Sequence, residues 1–131
     1  MQFLRPYRPQ LLSVLRITTG LLILEHGSGK YLNFPVGAMN NTSPLTPGGA
    51  AGVIELLGGI LITLGLFTRP AAFILSGTMA VAYFYAHAPR GFYPILNQGE
   101  LAVLYCFVFL YLAAAGAGPW SLDRLVRRDT D

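Results

Sequence analysis

His26 and His87, the two histidines of the chain, stand with Glu55, Glu100 and Lys30 inside or at the ends of strongly apolar stretches. Ionisable side chains are costly there unless they answer one another or line a site. Their types suit general acid–base chemistry: an imidazole exchanges protons near neutral pH, carboxylates orient it, and an ammonium balances charge or polarises a carbonyl oxygen. On this reading His26, His87, Glu55 and Glu100 are candidate catalytic residues and Lys30 a ligand contact. Tyr83, Phe84 and Phe92 offer apolar walls, and Arg16 is a further candidate contact. The structural alternative is a network that only fixes helix register, with Lys30 and Glu100 snorkelling or capping helix ends.

The element that must position the first of these residues is Leu11–Leu32, long and apolar enough to cross a bilayer at ~1.5 Å per residue. On a helical wheel Arg16, Gly20, Ile23, Gly27 and Lys30 fall within a sector of roughly 80°, so that face should meet the other helices. His26 lies next to Lys30, whereas Glu25 points away and suits an oligomer contact. Pro6 and Pro9 keep a helix from starting before about residue 10. Further spans are expected at Gly49–Phe67, Ala71–Ala88 and Gln98–Gly116. Gly52, Glu55, Gly59 and Thr63 make a small-residue stripe for close packing, and Ser76, Ala80, Tyr83 and His87 share a face of the third span.

Between the spans lie a loop over Asn33–Gly48, the tight turn Thr68-Arg69-Pro70 and a second loop over Pro89–Asn97. Asn40 and Asn41 each begin an N-x-S/T match, a frequent chance pattern. Arg5, Arg8, Arg69, Arg124, Arg127 and Arg128 then fall on one side of the membrane, and Lys30 and Arg90 on the other. The expected fold is all-α: a single transmembrane domain over residues 1–131, an integral four-helix bundle with both termini cytoplasmic. Alternating helix direction places Lys30, His87 and Glu100 within about one turn of the outer surface, and His26, Glu25 and Glu55 roughly 8–10 Å deep. Arg16 is alone in the inner half, about 7 Å from the cytoplasmic end.

Composition narrows the class. With 53% hydrophobic and 11% charged residues among 131, and a mean hydropathy of +0.52, the chain is too apolar for an ordinary soluble domain. The net charge of +3 comes from arginines beside apolar spans rather than from a basic stripe, which argues against nucleic acid. The one cysteine, Cys106, excludes an intrachain disulfide or a CxxC pair. The basic start MQFLRPYRPQ resembles a signal peptide, but the apolar run after it is long and charge-interrupted, so it is read as an uncleaved span. Gly27-Ser28-Gly29-Lys30 echoes a phosphate loop yet continues into Tyr31 with no preceding strand. A bis-histidine haem through His26 and His87 is disfavoured by the helix-end position of His87, and a His–Glu metal site lacks diagnostic spacing, so no metal is assigned.

The motifs in order are an arginine early in span one (Arg16), H-G-x-G-K-Y (His26 to Tyr31), E-x-x-G-G (Glu55 to Gly59) and L-G-L-x-T-R (Leu64 to Arg69). A histidine closing span three (His87), N-x-G-E (Asn97 to Glu100) and G-x-G-P-W-S-L-D (Gly116 to Asp123) follow. In this order and spacing the chain resembles the DoxX family of small bacterial membrane proteins. The resemblance implies a four-helix inner-membrane protein named after a relative of thiosulfate:quinone oxidoreductase subunits, and oxidoreductase complexes with soluble redox partners. Arg16, His26, Lys30, Glu55, His87 and Glu100 match the family's polar set; the loop Asn33–Gly48 has no counterpart that could be matched.

The expected function is a redox-linked subunit whose outer polar pocket takes a quinone head, His26 or His87 exchanging the proton and Lys30 polarising a carbonyl. Nothing in the chain transfers electrons unaided, so a cofactor or partner protein is implied. The alternatives are a non-catalytic assembly or adaptor protein, whose basic tail meets anionic lipid or a cytoplasmic partner, and a small proton-coupled transporter. A homodimer through the Gly52/Gly59 stripe or the Glu25 face is a further expectation.

Overall fold

The computed structural model describes residues 1–37 and 43–127, within which helices and connecting turns occur and no strand. Asn40, Asn41 and Arg128 lie outside the described residues. Helix α1 spans Arg8–Tyr31, α2 Pro47–Leu64, α3 Thr68–Ala82, α4 Pro94–Asn97, α5 Glu100–Ala115 and α6 Leu122–Arg127. A 3-10 helix over Gln2–Tyr7 precedes α1.

Helix α1 begins earlier than the prolines suggest. Pro9 sits in its first turn, where the missing N–H has no intrahelical partner to lose, and Pro6 is absorbed by the 3-10 segment. Helix α2 starts at a cap in which the Thr46 hydroxyl accepts from the Gly49 N–H at 3.0 Å, with Pro47 in the first turn. It ends at Gly65, whose φ of +69° lets the chain reverse. The start of α3 is capped from far along the chain: Asp123 accepts from the N–H groups of Phe67 and Thr68 at 2.8 and 3.0 Å.

Helix α3 does not stop at Ala82 but widens into a π turn, Tyr83–His87, and a 3-10 turn, Ala88–Arg90. The Ala88 N–H reaches back five residues to the Tyr83 carbonyl. Such a turn acts as a one-residue insertion, about 100° of rotation, yet the rings of Tyr83 and His87 still stack on one side. The loop after it also contains an unexpected helical turn, α4.

Helix α1 packs along α2, α3 along α5, and α2 meets α3, whereas α1 and α5 barely touch. The α1–α2 seam is built on glycines from both sides. A Cβ on Gly27 would lie 2.4 Å from the Leu56 backbone nitrogen, and one on Gly59 would lie 2.8 Å from the Leu24 Cα. The Gly52/Gly59 stripe is therefore spent inside the chain, and a homodimer needs another face; exposed Glu25 remains on one.

Beside an apolar core of Ile23, Ile62, Leu75, Phe109 and Leu112, polar groups are buried and large apolar ones exposed. Ser13, Arg16, Thr68 and Asn97 are fully enclosed, while Leu57, Phe73, Ile74, Leu104 and Phe107 stand outside. Apolar surface on that scale marks lipid or partner contact. Two helical stretches, Pro47–Leu64 and Thr68–Arg90, are long and apolar enough to cross a membrane. Helix α1 has the length, 24 residues, but carries the polar set, and α5 has the hydropathy with 16 residues.

Candidate functional site

A cavity of about 850 Å³ lies among α1, α2, α3 with its π turn, and α5. Ile23, Ile54, Met79, Val81 and Leu101 give it apolar walls. Its polar lining comes chiefly from His26 and Lys30 of α1, Glu55 of α2, His87 of the π turn, and Gln98 and Tyr105. Four of the residues chosen from sequence for acid–base or ligand roles thus share one chamber.

Lys30 and Glu55, each about 5% exposed, form an ion pair with Nζ 3.1 Å from Oε2. Lys30 also donates to the Gly48 carbonyl at 3.1 Å, and the neighbouring Tyr31 hydroxyl donates to the Gly49 carbonyl. Room for this comes from Gly52, where a Cβ would lie 2.6 Å from Lys30 Cδ. The end of α1 is thereby laced to the start of α2, and the charges meet within the protein rather than against lipid.

His87 reaches the cavity from the π turn. With one residue effectively inserted after Ala82, His87 stands above Ala82 as residue 86 would in a regular helix, and both line the chamber. Its Nδ1 lies 3.1 Å from the Asn97 carbonyl. A carbonyl only accepts, so Nδ1 carries the proton and Nε2 of the neutral ring is left as an acceptor. The Tyr83 ring stacks on the imidazole at 6.4 Å.

Asn97 is the hub that the sequence reading passed over. Fully buried, it donates from Nδ2 to the Tyr83 hydroxyl and the Gly91 carbonyl at 3.2 and 2.9 Å, and accepts the Gly99 N–H on Oδ1 at 2.8 Å. The N-x-G-E motif was its signal. Tyr105 is the second omission: 6% exposed, it stacks on Phe109 and meets the His26 ring edge-on at 6.1 Å, bridging the sparse α1–α5 contact.

The remaining candidates fall elsewhere. Glu100 is exposed in the first turn of α5, lining a shallow concavity with Pro94 and Ile95, where it faces the positive end of the helix. Phe84 and Phe92 are 70% and 85% exposed and do not line this cavity; Tyr85, one residue on from Phe84, does. Tyr83 supports His87 and Asn97 rather than lining the chamber.

Arg16 is at the other end of α1, fully buried, and donates from Nη2 to the Trp120 carbonyl at 2.6 Å. Its Nη1 would lie 2.0 Å from a Cβ at Gly65. The expectation that it stands alone is corrected by the segment before α6: the Trp120 N–H donates to Ser13 Oγ at 3.1 Å, and the Asp123 N–H to the Gly65 carbonyl at 2.8 Å.

The family model for DoxX matches residues 11–88. An uncharacterized protein of Haemophilus influenzae is 48% identical over 132 residues, covering 94% of this chain and 96% of its own. The inner membrane protein YphA of Escherichia coli is 32% identical over 132 residues, covering 89% and 91%. No solved structure matches.

Proposed function

Because this chain belongs to the DoxX family of membrane proteins, we propose that it is a multi-pass inner-membrane protein whose cavity binds an apolar ligand with a quinone-type head. In this reading it is a redox-linked subunit that works with an electron-carrying partner. One observation carries the proposal: His26, Lys30, Glu55 and His87 from three helical segments line a single chamber whose other walls are mostly apolar. That combination of apolar walls and a few polar groups fits an isoprenoid-tailed ring.

When bound, such a ligand supplies two-electron redox chemistry that the side chains lack. The chain's own residues then hold and move protons: His87, with Nδ1 fixed on the Asn97 carbonyl, presents Nε2, and His26 is the second imidazole. Lys30 orients Glu55 and neutralises its charge in a setting of low dielectric. In this reading a ligand arrives from the bilayer between α1 and α5, where contact is sparse.

The proposed arrangement has four spans, α1, α2, α3 with its extension, and α5, with both termini in the cytoplasm. The positions of Arg5, Arg8, Arg69 and Arg124 at the Arg16 end support it. The inner-membrane name of the Escherichia coli relative supports the location.

The test is organic extraction of the detergent-purified protein followed by quinone analysis, beside a scan for visible absorption. Wild type should carry quinone, and His87→Ala and Glu55→Gln should lose it while keeping a cooperative melting transition. Wild-type protein that binds none, natively or after reconstitution, sinks the reading and leaves an assembly role, which the internally satisfied Lys30–Glu55 pair would equally serve.

A further inference from the structure

From the hydrogen-bond polarity of the chamber we infer that it selects a ligand whose polar head donates hydrogen bonds, which for a quinone-type ligand means the reduced, diol form rather than the dione. This rests on the proposed binding reading and narrows it. The first support is His87, whose Nδ1 proton is committed to the Asn97 carbonyl, so the free nitrogen of the neutral ring accepts. The second is Glu55, whose Oε2 is taken by Lys30 while Oε1 keeps its lone pairs. Lys30 spends two of its three protons within the protein, on Glu55 and on the Gly48 carbonyl.

A hydroxyl both donates and accepts, so a diol head suits free acceptors on His87 and Glu55, which line the same cavity. A carbonyl head sets lone pair against lone pair at His87 and Glu55. Leaving such acceptors unmatched inside a desolvated site is where discrimination between near-isosteres is greatest. Lys30, paired with Glu55, orients that acceptor.

The experiment is anaerobic equilibrium dialysis of the full chain in detergent with a ten-carbon-tailed benzoquinol, the matching benzoquinone, and the quinol's dimethyl ether, which keeps the ring and removes both donors. The quinol should bind about tenfold or more tightly than the quinone, as hydrogen bonds to charged or buried acceptors allow. The dimethyl ether should fall to the level of the quinone or below, and His87→Ala should erase most of the quinol's advantage over the quinone. Equal binding of quinol and quinone, or quinone preferred, overturns the inference and leaves the cavity reading intact. Failure of all three probes to bind overturns both.

Discussion

At the scale of single residues, Lys30 and Glu55 meet the cost of buried charge by pairing with each other, and the consequence is a sharp asymmetry between single and double substitution. Removing one partner leaves an uncompensated charge, which typically costs ~3–5 kcal/mol, whereas removing both leaves none. Lys30→Met and Glu55→Leu should therefore each lower the thermal midpoint in detergent markedly, and the double variant should recover part of the loss. A double variant as unstable as the sum of the singles would show that the two charges do not interact. That these residues share the outer half was legible from their depth along antiparallel helices. Glu100, in the first turn of α5, faces outward, a rotation that counting residues from a span end does not give. Asn97 was missed because a neutral side chain raises no electrostatic alarm in sequence, although its four polar contacts organise His87, Tyr83, Gly91 and Gly99.

At the scale of elements, the glycines divide into those that let helices approach and those that do not. Gly27 belongs to the seam: its Cβ would meet Leu56 backbone, which cannot swing aside. Gly77, in the middle of α3, would place a Cβ with no heavy atom within 4 Å. Gly27→Ala should destabilise by roughly 1–3 kcal/mol through overpacking, and Gly77→Ala should be neutral or stabilise by up to about 1 kcal/mol through helix propensity. Paired unfolding measurements of the two variants check this, and an equal loss in both would remove the seam from the account. The seam was legible as small residues at helical spacing. The π turn was not: Tyr83–His87 has no residue pattern that distinguishes five-residue from four-residue hydrogen bonding. His87 entered the site on its chemistry rather than on its register.

At the scale of the whole molecule, two helical hairpins, α1–α2 and α3–α5, are joined at one end through the α2–α3 turn, and the cavity forms toward the other. The joined end is closed by the segment leading into α6. Its Trp120 carbonyl takes the Arg16 guanidinium, and its Asp123 carboxylate caps α3. The same end carries Arg5, Arg8, Arg69 and Arg124, and the opposite end Lys30 and Arg90. A charge bias of this kind sets orientation during insertion, so the joined end is proposed to face the cytoplasm and the cavity end the opposite side. The proposal is decided by cysteine accessibility. In a Cys106→Ser background, Phe92→Cys probes the cavity end and Leu125→Cys the joined end, at side chains 85% and 75% exposed. A membrane-impermeant maleimide should label Phe92→Cys in cells whose outer membrane has been opened, and Leu125→Cys only after the inner membrane is broken. Labelling of both from one side would require an odd number of crossings between α4 and α6 to be abandoned, and with it α5 as a span. Its 16 residues would then be a packed core helix, and the lateral α1–α5 route would open to water instead of lipid.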